Sequence, residues 1–290
     1  MFLYILSNAI VCFICLIVGI FVLLKNKKAL INRLWFLFSI SVSLWAFCSI
    51  KTVFAPNEAS ALFWGRFLYV GAVFIPSIFY HFIQVLIDNA CKRLKIILIS
   101  YLLSFFFLIL NFTDFFIKGV SPKPPFKYYD EPGILYPLFI IFFVIFITLS
   151  ILNLINTYRK SVGVKRNQLK YVIWASLIGF IGGSSSIPLV FGNIPLFFFT
   201  YPLLAIFPAI IGYAILKHRL MDIDFVLRKS AVYLCASSLY LLPLIVIVIL
   251  AQKFIFNEIN LIFSIMSGAT ILIAAYVFPK LRYHAEQTAE

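Results

Sequence analysis

The sequence predicts an all-α protein, a polytopic helical bundle of about nine transmembrane helices with its N-terminus outside and its C-terminus in the cytoplasm. Two observations carry this. Of 290 residues, 63% are hydrophobic and only 12% charged, whereas soluble domains are about 45–50% apolar and about 25% charged. So few charges cannot cover a water-facing surface. The apolar residues also gather into nine runs near the ~20 residues a bilayer-spanning helix needs. The 34 Phe and 15 Tyr suit a lipid-facing surface with aromatic interfaces.

The expected spans are 2–24, 34–54, 61–87, 95–112, 134–157, 171–191, 194–216, 231–256 and 259–278. The first is uncharged and followed, not preceded, by lysines. A cleavable signal peptide has the opposite pattern, so this is an N-out anchor. The break between the sixth and seventh spans rests on Gly192, Asn193 and Pro195. Pro202 and Pro208 are expected to kink the seventh. The eighth has a soft end at Gln252 and Lys253. Ala175, Gly179, Gly182 and Ser186 fall on one face of the sixth, where small residues let helix backbones approach closely.

Orientation follows from the loops. Most of the 24 Lys and Arg lie in alternate loops and the tail, among them Lys25, Lys27, Lys28, Arg33, Lys92, Arg93, Lys95, Arg159, Lys160, Lys165, Arg166, Lys217, Arg219, Arg228 and Lys280. Cytoplasmic loops are the lysine- and arginine-rich ones. The same rule accounts for the net charge of +14, so no nucleic-acid partner is expected.

Nine spans leave no loop long enough for a folded domain of ~50 residues. A soluble kinase, cyclase, nuclease or hydrolase domain is therefore excluded within this chain. His81, His218 and His284 stand without metal-ligand spacing, and there is no His-Glu-x-x-His, Gly-x-Ser-x-Gly or phosphate-binding glycine loop. No enzyme activity, metal or cofactor is expected. Cys12, Cys15, Cys48, Cys91 and Cys235 suggest no disulfide.

The third span is the most informative. Arg66, Ser77, His81, Gln84 and Asp88, with Val70 and Val73 between them, recur at steps of three or four residues. That spacing predicts one helical face, and polar groups in a span face the bundle interior or a water-filled cavity. This face is either a sensing surface or a packing seam. Arg66 needs an outer partner, expected to be Glu58, Asp130, Glu131 or a polar ligand. A shallow outer pocket is expected between Arg66, Tyr69 and the 113–133 loop, whose Tyr128, Tyr129 and Asp130 are ligand contacts on this reading. Ser77, His81 and Gln84 are candidate relay residues. So are Asp222 and Asp224, in a short amphipathic segment at the inner leaflet.

Several stretches in order carry a resemblance. The Ser-rich run Leu34 to Trp45 with its late Trp is one. Phe63 to Gly71, then Ile75-Pro76 and Tyr80-His81-Phe82, form the second. Arg166 to Tyr171 and Tyr213 to Asp224 complete the set. Together these resemble the N-terminal seven-transmembrane sensor region of bacterial histidine kinases. The resemblance covers residues 1–230; residues 231–278 resemble an additional two-helix hairpin, and 279–290 a cytoplasmic tail or the start of a signalling linker. It implies a receptor region in a bacterial inner membrane that relays an external or membrane signal to a cytoplasmic output domain. The chain stops at Glu290, so the expectation is a membrane fragment or a stand-alone relative without its own kinase. The partners expected are the lipid bilayer, an unidentified small ligand or membrane stimulus, and a second copy in a homodimer. The competing expectation is a small-solute transporter or channel, against which no internal repeat is seen.

Overall fold

The computed structural model describes residues 2–192 together with Leu204, Phe207, Pro208, Ile210 and Ile211. The remainder of the seventh span, the eighth and ninth spans, Asp222, Asp224 and the tail lie outside the described residues.

Helix α1 (Phe2–Lys25) and helix α2 (Leu30–Val53) form an antiparallel pair. Their contact is built from small and polar residues. A Cβ added at Gly19 would lie 2.6 Å from Ser39 Cβ, Ser43 Oγ donates to the Cys12 carbonyl at 3.0 Å, and Asn32 Nδ2 donates to Val22 at 3.0 Å. Apolar burial gives little drive between helices in lipid, so close packing and interhelical hydrogen bonds must supply it. Ser39 and Ser43 of the second span serve that purpose.

The third span is two helices, α3 (Glu58–Ala72) and α4 (Ile75–Leu86). Asn57 caps α3 by accepting from the Ser60 N–H at 2.9 Å. Pro76 has no N–H to give the preceding turn, and the chain turns at Val73 and Phe74. Arg66, Ser77 and His81 nevertheless all turn toward residues 100–117, so the polar face runs across the turn and Asp88 leaves it. Asp88 lies beyond α4 with φ of 57° and an exposed side chain, 3.7 Å from Lys165 Nζ. A short 3-10 turn, Cys91–Arg93, leads into α5 (Leu94–Leu110).

The segment expected as a connector is a β-hairpin, β1 (Ile117–Lys123) and β2 (Phe126–Pro132). It is antiparallel, with Val120 opposite Asp130 and Ser121 opposite Tyr129. This corrects the purely helical expectation. The cause is local: Ile117, Val120, Tyr128 and Tyr129 favour strands, and the prolines at 122, 124 and 125 confine the tip. Phe116 and Ile117 are buried at its root and Phe126 at its tip.

Helix α6 (Tyr136–Lys160), helix α7 (Gly163–Ser184) and the short α8 (Ile187–Phe191) follow. Helix α7 starts earlier than the apolar run, because Lys165, Arg166 and Lys170 occupy its first turns. The small-residue face of the sixth span is used for packing: a Cβ at Gly179 would meet the Phe207 ring at 2.7 Å. Phe207 also packs against Trp35 and Phe38.

Among the described residues, six helical segments are long and apolar enough to cross a membrane. Exposed Leu98, Leu102, Phe105 and Ile109 on α5 and Leu138, Ile141, Ile145 and Leu152 on α6 face outward. An apolar belt of this kind needs lipid around it. The interior is aromatic: Tyr69, Phe107, Phe116, Tyr136 and Phe139 stack with centroids between 5.2 and 6.2 Å.

Candidate functional site

The site is built at the hairpin end of the bundle. A cavity of about 120 Å³ lies there, lined by α1, α2, α3, the start of α4, β2, α6, α7, α8 and residues 204 and 207. Its walls are apolar and aromatic: Phe38, Val42, Trp45, Leu68, Phe139, Phe143, Phe180 and Phe207. Its roof carries the polar groups. Tyr4, Tyr69, Tyr128, Tyr129, Asp130 and Tyr136 all contribute.

Strand alternation turns Asp130 inward. It is only 8% exposed, and it packs against Gly65 of α3, where any side chain would collide with its carboxylate. Oδ1 accepts no hydrogen bond. Burial pushes the carboxyl up to about 7, with Lys123 partly opposing. Lys123, on the neighbouring strand, donates instead to the backbone carbonyls of Asp130 and Val190, at 2.8 and 2.6 Å. Burial lowers the Lys123 ammonium and raises the Tyr129 phenol. The Tyr129 hydroxyl donates to the Ser186 carbonyl at 3.4 Å. The hairpin is thus pinned to the top of α8 by Lys123 and to the turn before it by Tyr129.

Tyr69 and Tyr136 share a hydrogen bond of 3.0 Å between their hydroxyls. Each phenol is buried, and each satisfies the other across α3 and α6. Tyr136 was not singled out by the sequence; a tyrosine opening an apolar span was its only signal.

Arg66 is elsewhere. It does not line the cavity. Its guanidinium donates to Asp114 Oδ1 at 2.8 Å, to the Ile117 carbonyl at 3.1 Å and to the Phe112 carbonyl at 3.4 Å. Asn111 Nδ2 returns a bond to the Arg66 carbonyl at 2.7 Å. The partner is therefore neither Glu58, Asp130 nor Glu131. Asp114 wins because α5 ends beside α3 and presents it directly. Arg66 fastens the start of the hairpin to α3, and the expected shallow pocket at Arg66 is replaced by the deeper cavity beyond Tyr69.

The candidate relay residues hold α4 to its neighbours. Ser77 donates to the Ser100 carbonyl at 2.7 Å and pairs with Ser104; Ser104 donates to the Val73 carbonyl at 2.8 Å. His81 Nδ1 lies 3.2 Å from the Tyr101 hydroxyl. Gln84 Oε1 accepts from Asn89 at 3.0 Å. These bonds make a polar seam facing α5, away from the cavity. Among the described residues no group of His, Cys, Asp and Glu could hold a metal ion.

A family model described as the N-terminal 7TM region of histidine kinase matches residues 8–224. No curated protein and no solved structure matches the chain.

Proposed function

Because the chain belongs to the family of N-terminal seven-transmembrane regions of histidine kinases, we propose that it is the receiving part of a signalling protein and that the cavity under the hairpin is where the signal enters. A small molecule from outside, or from the outer leaflet, occupies the cavity and shifts the hairpin against α3 and α8. The helices carry that shift to the opposite, lysine- and arginine-rich end, which drives a cytoplasmic output domain. The reading includes nine helices, the N-terminus outside, and a bacterial inner membrane.

Two features support it. The cavity lies at the end of the bundle away from Lys25, Arg93, Lys160 and Lys165, which the charge rule assigns to the cytoplasm. The hairpin roofing the cavity is also hydrogen-bonded to the elements around it. Lys123 and Tyr129 reach α8 and its preceding turn, and Arg66 reaches the hairpin root. The observation that carries the reading is a cavity roofed by the hairpin, so that an occupant would touch β2 and the helices at once.

The test fills the cavity. Gly183 lines it, and a Cβ there meets nothing closer than Leu204 Cδ1 at 3.6 Å. With a kinase core joined after Glu290, Gly183→Leu should move basal phosphorylation away from the wild-type level at equal membrane abundance. Output unchanged in Gly183→Leu, with the protein folded, would contradict the reading.

A further inference from the structure

The chemistry of the cavity restricts what can occupy it. Asp130 is the one charged side chain among its described lining residues. It is more than nine-tenths buried, and Oδ1 accepts no hydrogen bond. A buried carboxylate without a partner is costly, so either a proton or a bound cation must answer it.

The neighbouring groups do not. Lys123 on β1 is the one described cation facing it from the adjoining strand. Its ammonium is engaged by two backbone carbonyls and forms no ion pair with the carboxylate. Glu131, next on β2, is another anion. Tyr69 of α3 and Tyr136 of α6 hydrogen-bond each other, and Tyr129 donates to Ser186. All three tyrosines line the cavity with Asp130, and the Tyr129 ring already carries the Lys123 ammonium over it at 5.8 Å. Aromatic rings around a cation are a recognition device in their own right. Below them the walls are apolar.

We propose that the cavity binds an amphipathic organic cation, its ammonium head against the Asp130 carboxylate among Tyr69, Tyr129 and Tyr136, and its apolar body along Phe139, Phe143 and Phe180. The assignment rests on the reading of this cavity as the signal-receiving site and names the class of ligand that it takes. An anionic ligand is disfavoured, because no described lining residue is positive. A neutral ligand would leave the carboxyl to be answered by a proton. Burial favours the protonated Asp130 carboxyl, so a cation that binds there must displace that proton.

The probe is octylammonium, titrated calorimetrically into the full chain in lipid nanodiscs, with empty nanodiscs subtracted. Octanol and octanoate of the same chain length are the comparisons. Octylammonium should saturate, and should bind at least about tenfold more tightly than octanol, since a charge-assisted bond separates them. Its affinity should rise with pH. Asp130 must ionise to receive the ammonium, and the ligand stays charged throughout, so the gain between about pH 5.5 and 8.5 should be about tenfold or more. Asp130→Asn should bring octylammonium down to the octanol level and remove the pH dependence. Equal binding of octanol or octanoate, an amine affinity that Asp130→Asn leaves intact, or no saturable binding would overturn the assignment. If Asp130→Asn does not fold, the amine-to-alcohol ratio and the pH dependence of the wild-type chain decide. Tight octanol binding would overturn the cation alone and leave the cavity as receiving site. An output that ignores Gly183→Leu would strike the receiving-site reading and leave the binding result standing.

Discussion

The guanidinium of Arg66 donates to the carboxylate of Asp114 at 2.8 Å, joining the third span to the residue that opens the outer hairpin. Asp114 is 81% exposed and Arg66 only 22%, so the two sides of the pair differ in what they contribute. An exposed ion pair is worth about 0–1 kcal/mol. The bond from Arg66 to the Ile117 carbonyl is part-buried, and it and the exposed bond to Phe112 would be left unmade without the guanidinium.

Asp114→Asn is therefore expected to lower stability by less than about 1 kcal/mol. Arg66→Ala should cost about 1–3 kcal/mol and raise hydrogen exchange across residues 117–132. Thermal unfolding of the purified variants, with exchange read by mass spectrometry, checks both. Equal effects of the two substitutions would mean that the ion pair, and not the carbonyl bonds, fastens the hairpin.

Tyr69 and Tyr136 give a second asymmetry. Removing one hydroxyl leaves the other buried without its partner, at a cost of about 1–3 kcal/mol, whereas removing both is nearly neutral. Tyr69→Phe and Tyr136→Phe should each lower the melting temperature, and the double variant should melt above either single one. Additive losses would show that the hydroxyls do not depend on each other.

At Gly65 the prediction is steric. A methyl group there would collide with the Asp130 carboxylate. Overpacking of this sort costs about 1–3 kcal/mol. Gly65→Ala should destabilise the protein, and Asp130→Ala added to it should recover most of the loss. No recovery would place the clash elsewhere.

Cys91 is the one exposed cysteine of the four described, and it stands beside Lys92 and Arg93. The charge rule puts it in the cytoplasm. A membrane-impermeant maleimide should leave Cys91 unlabelled in intact cells and label it after permeabilisation; Lys127→Cys, in the hairpin, should label in both. The reverse pattern would invert the proposed orientation.

The span positions were largely legible, because a bilayer imposes a length and a composition that hydropathy reads directly. The first six expected runs each meet one of the membrane-length helical segments. The turn at Val73 and Phe74 was not foreseen, although Pro76 marked it. Across that turn Arg66, Ser77 and His81 still meet α5 or the residues just after it, whereas Asp88, past the end of α4, leaves that face. The hairpin was hidden because its strands are short and proline-rich, and its stability comes from Phe116, Ile117 and Phe126 packing on helices distant in sequence. In the site, Tyr69, Tyr128, Tyr129 and Asp130 line one cavity. Arg66 was misplaced because intramembrane charge points to a function only when its partner is unknown, and Asp114 is 48 residues away.

The central claim is that the hairpin holds the Asp130 carboxyl out of water above the cavity. Infrared spectroscopy of the chain in nanodiscs reads it directly, through the carbonyl stretch of a protonated carboxylic acid. The folded state favours the protonated form, so the native carboxyl should stay protonated as pH rises past the usual carboxylate range. It should lose its proton near pH 7. The corresponding stability contribution is full below the unfolded value of about 4 and is lost as pH climbs through 7. The account predicts a band that titrates near 7 and is absent in Asp130→Asn. A band that vanishes near pH 4, or one that Asp130→Asn leaves unchanged, would contradict it.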